Sequence, residues 1–281
     1  MLNSRNGLMA IVFTLVISMG IGPVAWAQDS QIQRFQNLEG TIDIAGGTAH
    51  IPVMKDAAEA IMKANPKIRI TVAGGGSGVG VQKVGAGLVH IGNTGRPLKP
   101  GEVEKYGLKT FPFAIDGVAV AVNPSNSVGA LTSQQVRDIF AGKIKNWQEV
   151  GGANAPIHLF TRDEASGTRE TFWEKLLKKG SIDAKANIVA SNGAMKMALA
   201  QDPQAIGYLG IGFVDQKAKG IKLDGAEPTQ ENAKSGAYAV TRQLYMNTKG
   251  EPQPLIQAFI DYIKGPEGAK IIQKHGFIPL Q

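Results

Sequence analysis

The sequence predicts an α/β protein of two lobes joined by two connecting segments. Two observations carry this. Strand-like and helix-like apolar patterns alternate along most of the chain, as in a helix-covered, mainly parallel sheet with right-handed crossovers. Two long extended runs, Phe113 to Asn123 and Tyr238 to Asn247, interrupt that alternation and mark an outward and a return crossing between lobes.

Taken in order, Thr41 to Ala45 places Ile42 and Ile44 on one face of a half-buried strand, and Gly46-Gly47-Thr48 breaks it. Met54, Ala57, Ala58, Ile61 and Met62 form a helical stripe that ends at Asn65-Pro66. The unit repeats. Ile68, Ile70 and Val72 alternate, the glycine run Gly74 to Gly78 turns around Ser77, and Val81, Val84 and Leu88 continue helically before a short strand over 89–92. Beyond the first crossing, Thr132 and Gln135 form a capping box for a helix carrying Val136, Ile139 and Phe140, which Gly142 stops. Ile157 to Thr161 reads as a strand leading through Arg162 to Thr168 into a helix with Phe172 and Trp173. Ser191-Asn192-Gly193 opens another helix, 205–209 follows as a strand, and Leu255 to Ile272 carries the last helices before a Gly276 cap. Residues 28–38 read as a polar lead-in and 229–236 as the most loop-like internal stretch. The expected division is residues 1–27 as a signal peptide, 28–118 with 240–281 as one lobe, and 119–239 as the other.

Arg5, the uncharged apolar run from Leu8 to Ile21 and the small-x-small site Ala25-Trp26-Ala27 form a secretory signal, so the mature chain is expected to start near Gln28. The apolar run is shorter than the roughly 20 residues of a membrane span. No cysteine is present, which excludes disulfides, thiolate metal sites and a cysteine-linked lipid anchor. The chain of 281 residues has a formal charge of +7, or +6 without Arg5. Its basic residues are scattered and no stacking-aromatic motif accompanies them, so the excess suits small anions better than nucleic acid.

Three turns share one design. A glycine-flanked Ser or Thr sits where a strand ends and a helix begins, at Thr48, at Ser77, and at Ser166 with Thr168. Helix N-termini expose unpaired N–H groups and a partial positive charge, hydroxyls add donors, and several such turns pointing inward form an anion cradle at the carboxyl edge of the strands. Each turn alone is an ordinary cap. Arg162, just ahead of the third, adds a forked cation suited to a tetrahedral oxyanion.

These residues resemble the phosphate-binding proteins of bacterial ABC importers. The likeness runs through Gly74-Gly75-Gly76-Ser77-Gly78, Ile91 to Leu98, Asp116 to Asn123, Ile139 to Trp147, and Arg162 to Thr168. It implies a two-lobed periplasmic binding protein of the type II, Venus-flytrap architecture that holds phosphate between its lobes and delivers it to a membrane permease. Carried over by position, the implied contacts are Thr48, Ala49, Ser77, Arg162, Ser166, Gly167 and Thr168, with Gly78, Thr94, Arg96 and Asp116 as secondary candidates. One position departs from the family. Many members carry an aspartate in the segment equivalent to Asn93 to Leu98 that accepts the proton of hydrogen phosphate, whereas this chain has Thr94-Gly95-Arg96. Asp116, in the crossing, is the nearest replacement, against an ordinary role pairing with Arg96 or capping a turn.

Enzyme readings lack parts. Neither Ser77 nor Ser166 sits in a nucleophile elbow. Val79 replaces the third glycine of a dinucleotide fingerprint, no GK[ST] loop occurs, and His50, His90, His158 and His275 have no metal spacing. His50 lies close to Thr48, yet reads as a helix-surface residue, and Trp147 and Trp173 as packing residues. The expectation is therefore a monomeric, soluble periplasmic phosphate receptor without cofactor, metal, catalysis or stable membrane insertion. Its rivals are a receptor for sulfate, molybdate or tungstate, and a secreted phosphoester hydrolase using Ser166 or Ser77.

Overall fold

A computed structural model describes residues 31–280. The signal segment, its cleavage site and the mature N-terminus at Gln28 lie outside the described residues. β1 (Gly40–Gly46) leads into α1 (Ile51–Ala64), β2 (Ile68–Gly75) into α2 (Ser77–Gly85), and β3 (Ile91–Thr94) into α3 (Pro100–Tyr106). β4 (Leu108–Val122) is the outward crossing. After it come a two-residue β5 (Ala130–Leu131), α4 (Ser133–Phe140), β6 (His158–Arg162), α5 (Gly167–Lys175), β7 (Asn187–Val189), α6 (Asn192–Gln201) and β8 (Ala205–Gly210). The return strand is Thr241–Lys249, followed by helices Pro254–Lys264 and Pro266–Lys274.

The sheet is mixed rather than mainly parallel. β1 lies between β2 and β3, all parallel, and β6 lies parallel to both β7 and β8. Between these two sets, β4 and the return strand run antiparallel to each other and to their outer neighbours, because one carries the chain out and the other brings it back. β4 changes partner along its length: residues up to Gly117 pair with the return strand, and Val118 to Val122 pair with β8.

Two large cores lie on either side of that change. Ile42, Ile44, Met54, Phe113, Leu244 and Phe259 belong to one, and Val118, Val136, Phe140, Trp147, Phe172 and Tyr208 to the other. The α1 stripe buries Met54, Ala57, Ala58 and Ile61 as its 3.6-residue spacing requires. Trp147 is buried in the second core, while Trp173 only packs at its edge.

Three local expectations change. The lead-in is tied down: Gln31–Phe35 forms a 3₁₀ helix, Phe35 enters the core, and Asn65 Nδ2 donates to the carbonyls of Phe35 and Leu38, each at 2.7 Å. The stretch 229–236 contains a helical turn, Gln230–Ser235, capped by Thr229 and stopped by Gly236 with φ of 82°. Leu88 falls beyond the end of α2 and is 70% exposed.

Candidate functional site

The carboxyl ends of β1, β2 and β6 meet at one point between the two cores, and the chain turns there into α1, α2 and α5. Gly47, Thr48, Ala49 and His50 from the first turn, Gly76 and Ser77 from the second, and Arg162, Ser166, Gly167 and Thr168 from the third line a small, largely enclosed cavity, with Gly95 and Arg242 completing it. Its volume, about 10 Å³, is far below the roughly 300–1,000 Å³ typical of pockets for organic ligands. It suits a compact ion.

The second and third turns touch beside this cavity. Gly78 N–H donates to the Ala165 carbonyl at 3.0 Å. Gly76 has φ of 89°, and a Cβ on it would sit 2.6 Å from that same carbonyl oxygen. Only glycine permits both the left-handed backbone and the close approach. Asn192, at the start of α6, closes on the first turn: its backbone and side-chain N–H groups donate to Thr48 Oγ1 at 3.2 and 3.0 Å, while its Oδ1 accepts from Gly210 N–H at 3.0 Å.

Arg162 is the electrostatic centre. Its side chain is 2% exposed and its Nη2 donates to the Ala190 carbonyl at 3.0 Å, yet Nε and Nη1 have no partner and it makes no ion pair among the described residues. Burial lowers its pKa, without bringing a guanidinium near neutrality. The base of the residue is fixed from below: Arg162 N–H donates to the Tyr208 hydroxyl at 3.1 Å, and the Tyr208 ring stacks on Phe172 at 4.0 Å.

The hydroxyls around the guanidinium are oriented by what they accept. Ser77 Oγ accepts from Gly95 N–H at 2.9 Å, Ser166 Oγ caps α5 by accepting from Arg169 N–H at 3.2 Å, and Thr48 Oγ1 accepts from Asn192. With an N–H already on each oxygen, the hydroxyl hydrogen is available to a ligand. The cavity therefore presents a guanidinium, donating hydroxyls and three helix N-termini, an arrangement complementary to an acceptor-rich anion.

The other candidates do not line the cavity, each for a visible reason. Gly78 spends its N–H on Ala165. Thr94 Oγ1 accepts from Asn247 Nδ2 at 3.1 Å. Arg96 makes a bidentate pair with Glu102 and a second pair with Glu170 at 2.8 Å. Asp116 is fully buried and its Oδ2 accepts from Arg242 Nε and Nη2 at 3.0 and 2.7 Å, so its ionic partner is Arg242 and not Arg96. Burial pushes the Asp116 carboxyl up while the Arg242 cation opposes that shift. His50 is likewise not on a helix surface: it is 1% exposed, packs 5.5 Å from the Phe113 ring and borders the cavity.

A family model for the PBP superfamily domain matches residues 35–267. The phosphate-binding protein PstS of Bacillus subtilis is 36% identical over 248 residues, covering 87% of this chain and 82% of its own. The chain belongs to the PstS family of the PBP superfamily. A Clostridium perfringens protein assigned as a phosphate ABC transporter substrate-binding protein, solved with phosphate bound, superposes with a TM-score of 0.81 at 34% identity, covering 86% of this chain and all of that one. An ABC-type phosphate transport receptor from Vibrio cholerae superposes at 0.69 with 32% identity, over 84% and 99% of the two chains.

Within this PstS-family chain, sequence reasoning missed Arg242 and Asn192. Arg242 lies in the return strand, where a cation 7% exposed between buried Val240 and Leu244 marks burial with a partner. Asn192 follows an ordinary serine cap and carries no such signal.

Proposed function

We propose that this protein binds inorganic phosphate in the cavity between its lobes and hands it to an ABC-type importer in the inner membrane. The observation that carries the reading is Arg162, a buried guanidinium with two unpartnered nitrogens and no carboxylate partner among the described residues. A buried charge left this way is costly until an anion completes it. The names borne by its relatives supply the ion. Thr48, Ala49, Ser77, Arg162, Ser166, Gly167 and Thr168 are the proposed contacts, with Arg242 held beside them by Asp116. Residues 28–118 with 240–281 form one lobe in this reading and 119–239 the other.

A micromolar Kd needs about 8 kcal/mol, and charge-assisted hydrogen bonds contribute roughly 1.5–3 kcal/mol each. A handful drawn from both lobes suffices. Binding without turnover is supported by the serines: Ser77 and Ser166 accept N–H bonds and neither hydrogen-bonds a base that could activate it. We further infer export through the N-terminal signal with cleavage before Gln28, a monomeric periplasmic form without lipid anchor, and transfer to a permease; no helix among the described residues is long and apolar enough to cross a membrane. Calorimetry on the mature, ligand-stripped protein tests the central claim. One phosphate bound per chain with micromolar or tighter affinity is expected, and no heat with no change in melting temperature overturns it.

A further inference from the structure

The cavity is built almost entirely of donors. Arg162 and Arg242 can only donate. Thr48, Ser77 and Ser166 each already carry an N–H on the hydroxyl oxygen, and Thr168 has a long contact of 3.5 Å from Asn192 Nδ2. His50 differs from all of these. It is the cavity-lining side chain, among those described, that has acceptor capacity with no donor on it: neither Nδ1 nor Nε2 makes a hydrogen bond of good geometry. Its Nδ1 edge lies against Gly47, itself a wall residue, where a Cβ would come within 2.6 Å.

The ring's surroundings decide its protonation. Burial, reinforced by the Arg242 cation, holds the imidazole pKa at about 3, so it is neutral at any physiological pH. Backbone carbonyls of Gly47, Thr94 and Tyr245 surround the ring. A neutral imidazole carries one N–H, which such oxygens favour, and one lone pair able to accept a hydrogen bond. Asp116 keeps an unpartnered Oδ1 but does not line the cavity, its Oδ2 being turned to Arg242.

Tetrahedral dianions of similar size differ in one respect that such a site can read. Hydrogen phosphate carries a proton at neutral pH, while sulfate carries none. In a cradle of donors that proton needs an acceptor, and a bare oxygen placed against a nitrogen lone pair is repelled. We propose that His50 determines the specificity of the site, its unprotonated ring nitrogen accepting the P–OH proton so that protonated oxyanions are taken in preference to unprotonated ones. The inference rests on the cavity being the phosphate site.

The test is calorimetry with phosphate, sulfate and monofluorophosphate, a dianion with fluorine in place of the hydroxyl, on the wild-type protein and on His50→Leu and His50→Asn. Wild type should prefer phosphate to both other anions by at least tenfold. His50→Leu should lower that preference by tenfold or more through loss of phosphate affinity, and His50→Asn, which keeps an acceptor oxygen, should restore part of it. A merely structural role would weaken all three anions together and leave the ratio unchanged, which overturns the inference while leaving phosphate binding intact. Failure of wild type to bind phosphate instead overturns the function itself. Should the variants not fold, nitrogen NMR on ¹⁵N-histidine wild type decides: of the four histidines, the one in contact with Phe113 should show its unprotonated nitrogen moving to lower frequency with phosphate and not with sulfate. Equal response to the two anions, or none, sinks the proposal.

Discussion

At the scale of single residues, function and stability pull against each other at Arg162. A buried guanidinium with two unpartnered nitrogens lowers the stability of the ligand-free fold, and the same feature suits it to an anion. Arg162→Met keeps much of the volume and removes the charge. It should raise the melting temperature of the phosphate-free protein while weakening phosphate binding by at least a hundredfold, about 2.7 kcal/mol; differential scanning calorimetry and titration on the same sample check both halves. His50 makes a second residue-scale prediction. The unfolded chain takes up a proton below pH 6.5, whereas the folded site refuses it until about pH 3. The folded pKa is depressed, so the contribution is intact above pH 6.5 and is lost as pH falls from there toward 3. By pH 5 that loss is about 2 kcal/mol. Between pH 7.5 and 5, His50→Leu should lose fewer degrees of melting temperature than wild type. Asp116, pushed up by burial, contributes to both proteins alike.

At the scale of elements, the site depends on how closely three helix starts approach one another. α5 begins at Gly167, and a Cβ there would sit 2.2 Å from Ser77 Oγ and 3.2 Å from the Gly95 carbonyl carbon. Those neighbours lie at the start of α2 and just after β3, outside both large cores, so a methyl group at this point pushes α5 away from them without disturbing either core. Gly167→Ala should therefore lose phosphate affinity by a hundredfold or more while the ligand-free protein melts within a few degrees of wild type. A large loss of ligand-free stability would instead place the strain inside a lobe. The repeated strand–glycine–hydroxyl–helix pattern was readable in the sequence for this reason: each turn is a local device whose residues are set by backbone geometry and capping.

At the scale of the whole molecule, ion pairs join α3 and its approach to α5 beside the cavity. Arg96 is 7% exposed, pairs with Glu102 in α3 and with Glu170 in α5, and Lys99 adds a second contact to Glu170 at 3.4 Å. None of these side chains lines the cavity, so their expected effect on affinity runs through the population of a closed form. Arg96→Gln should weaken phosphate binding by roughly three- to thirtyfold, about 0.7–2 kcal/mol, and should make wild-type and variant affinities converge as ionic strength rises. Equal salt dependence in the two proteins would remove this ion pair from closure.

Sequence alone was enough for the alternation of strands and helices, the two long crossing strands, and the three turns and Arg162 that meet at the cavity, because each is written in short-range periodicity, capping or turn chemistry. Tertiary structure decided what depends on which distant residues meet. Asp116 and Arg242 are 126 positions apart and form one buried pair. Asn192 closes on Thr48 from 144 positions away. His50 looks like the first residue of an amphipathic helix until Phe113 and the return strand cover it. The antiparallel centre of the sheet likewise follows from two strands running between lobes in opposite senses, a relation that no window of neighbouring residues contains.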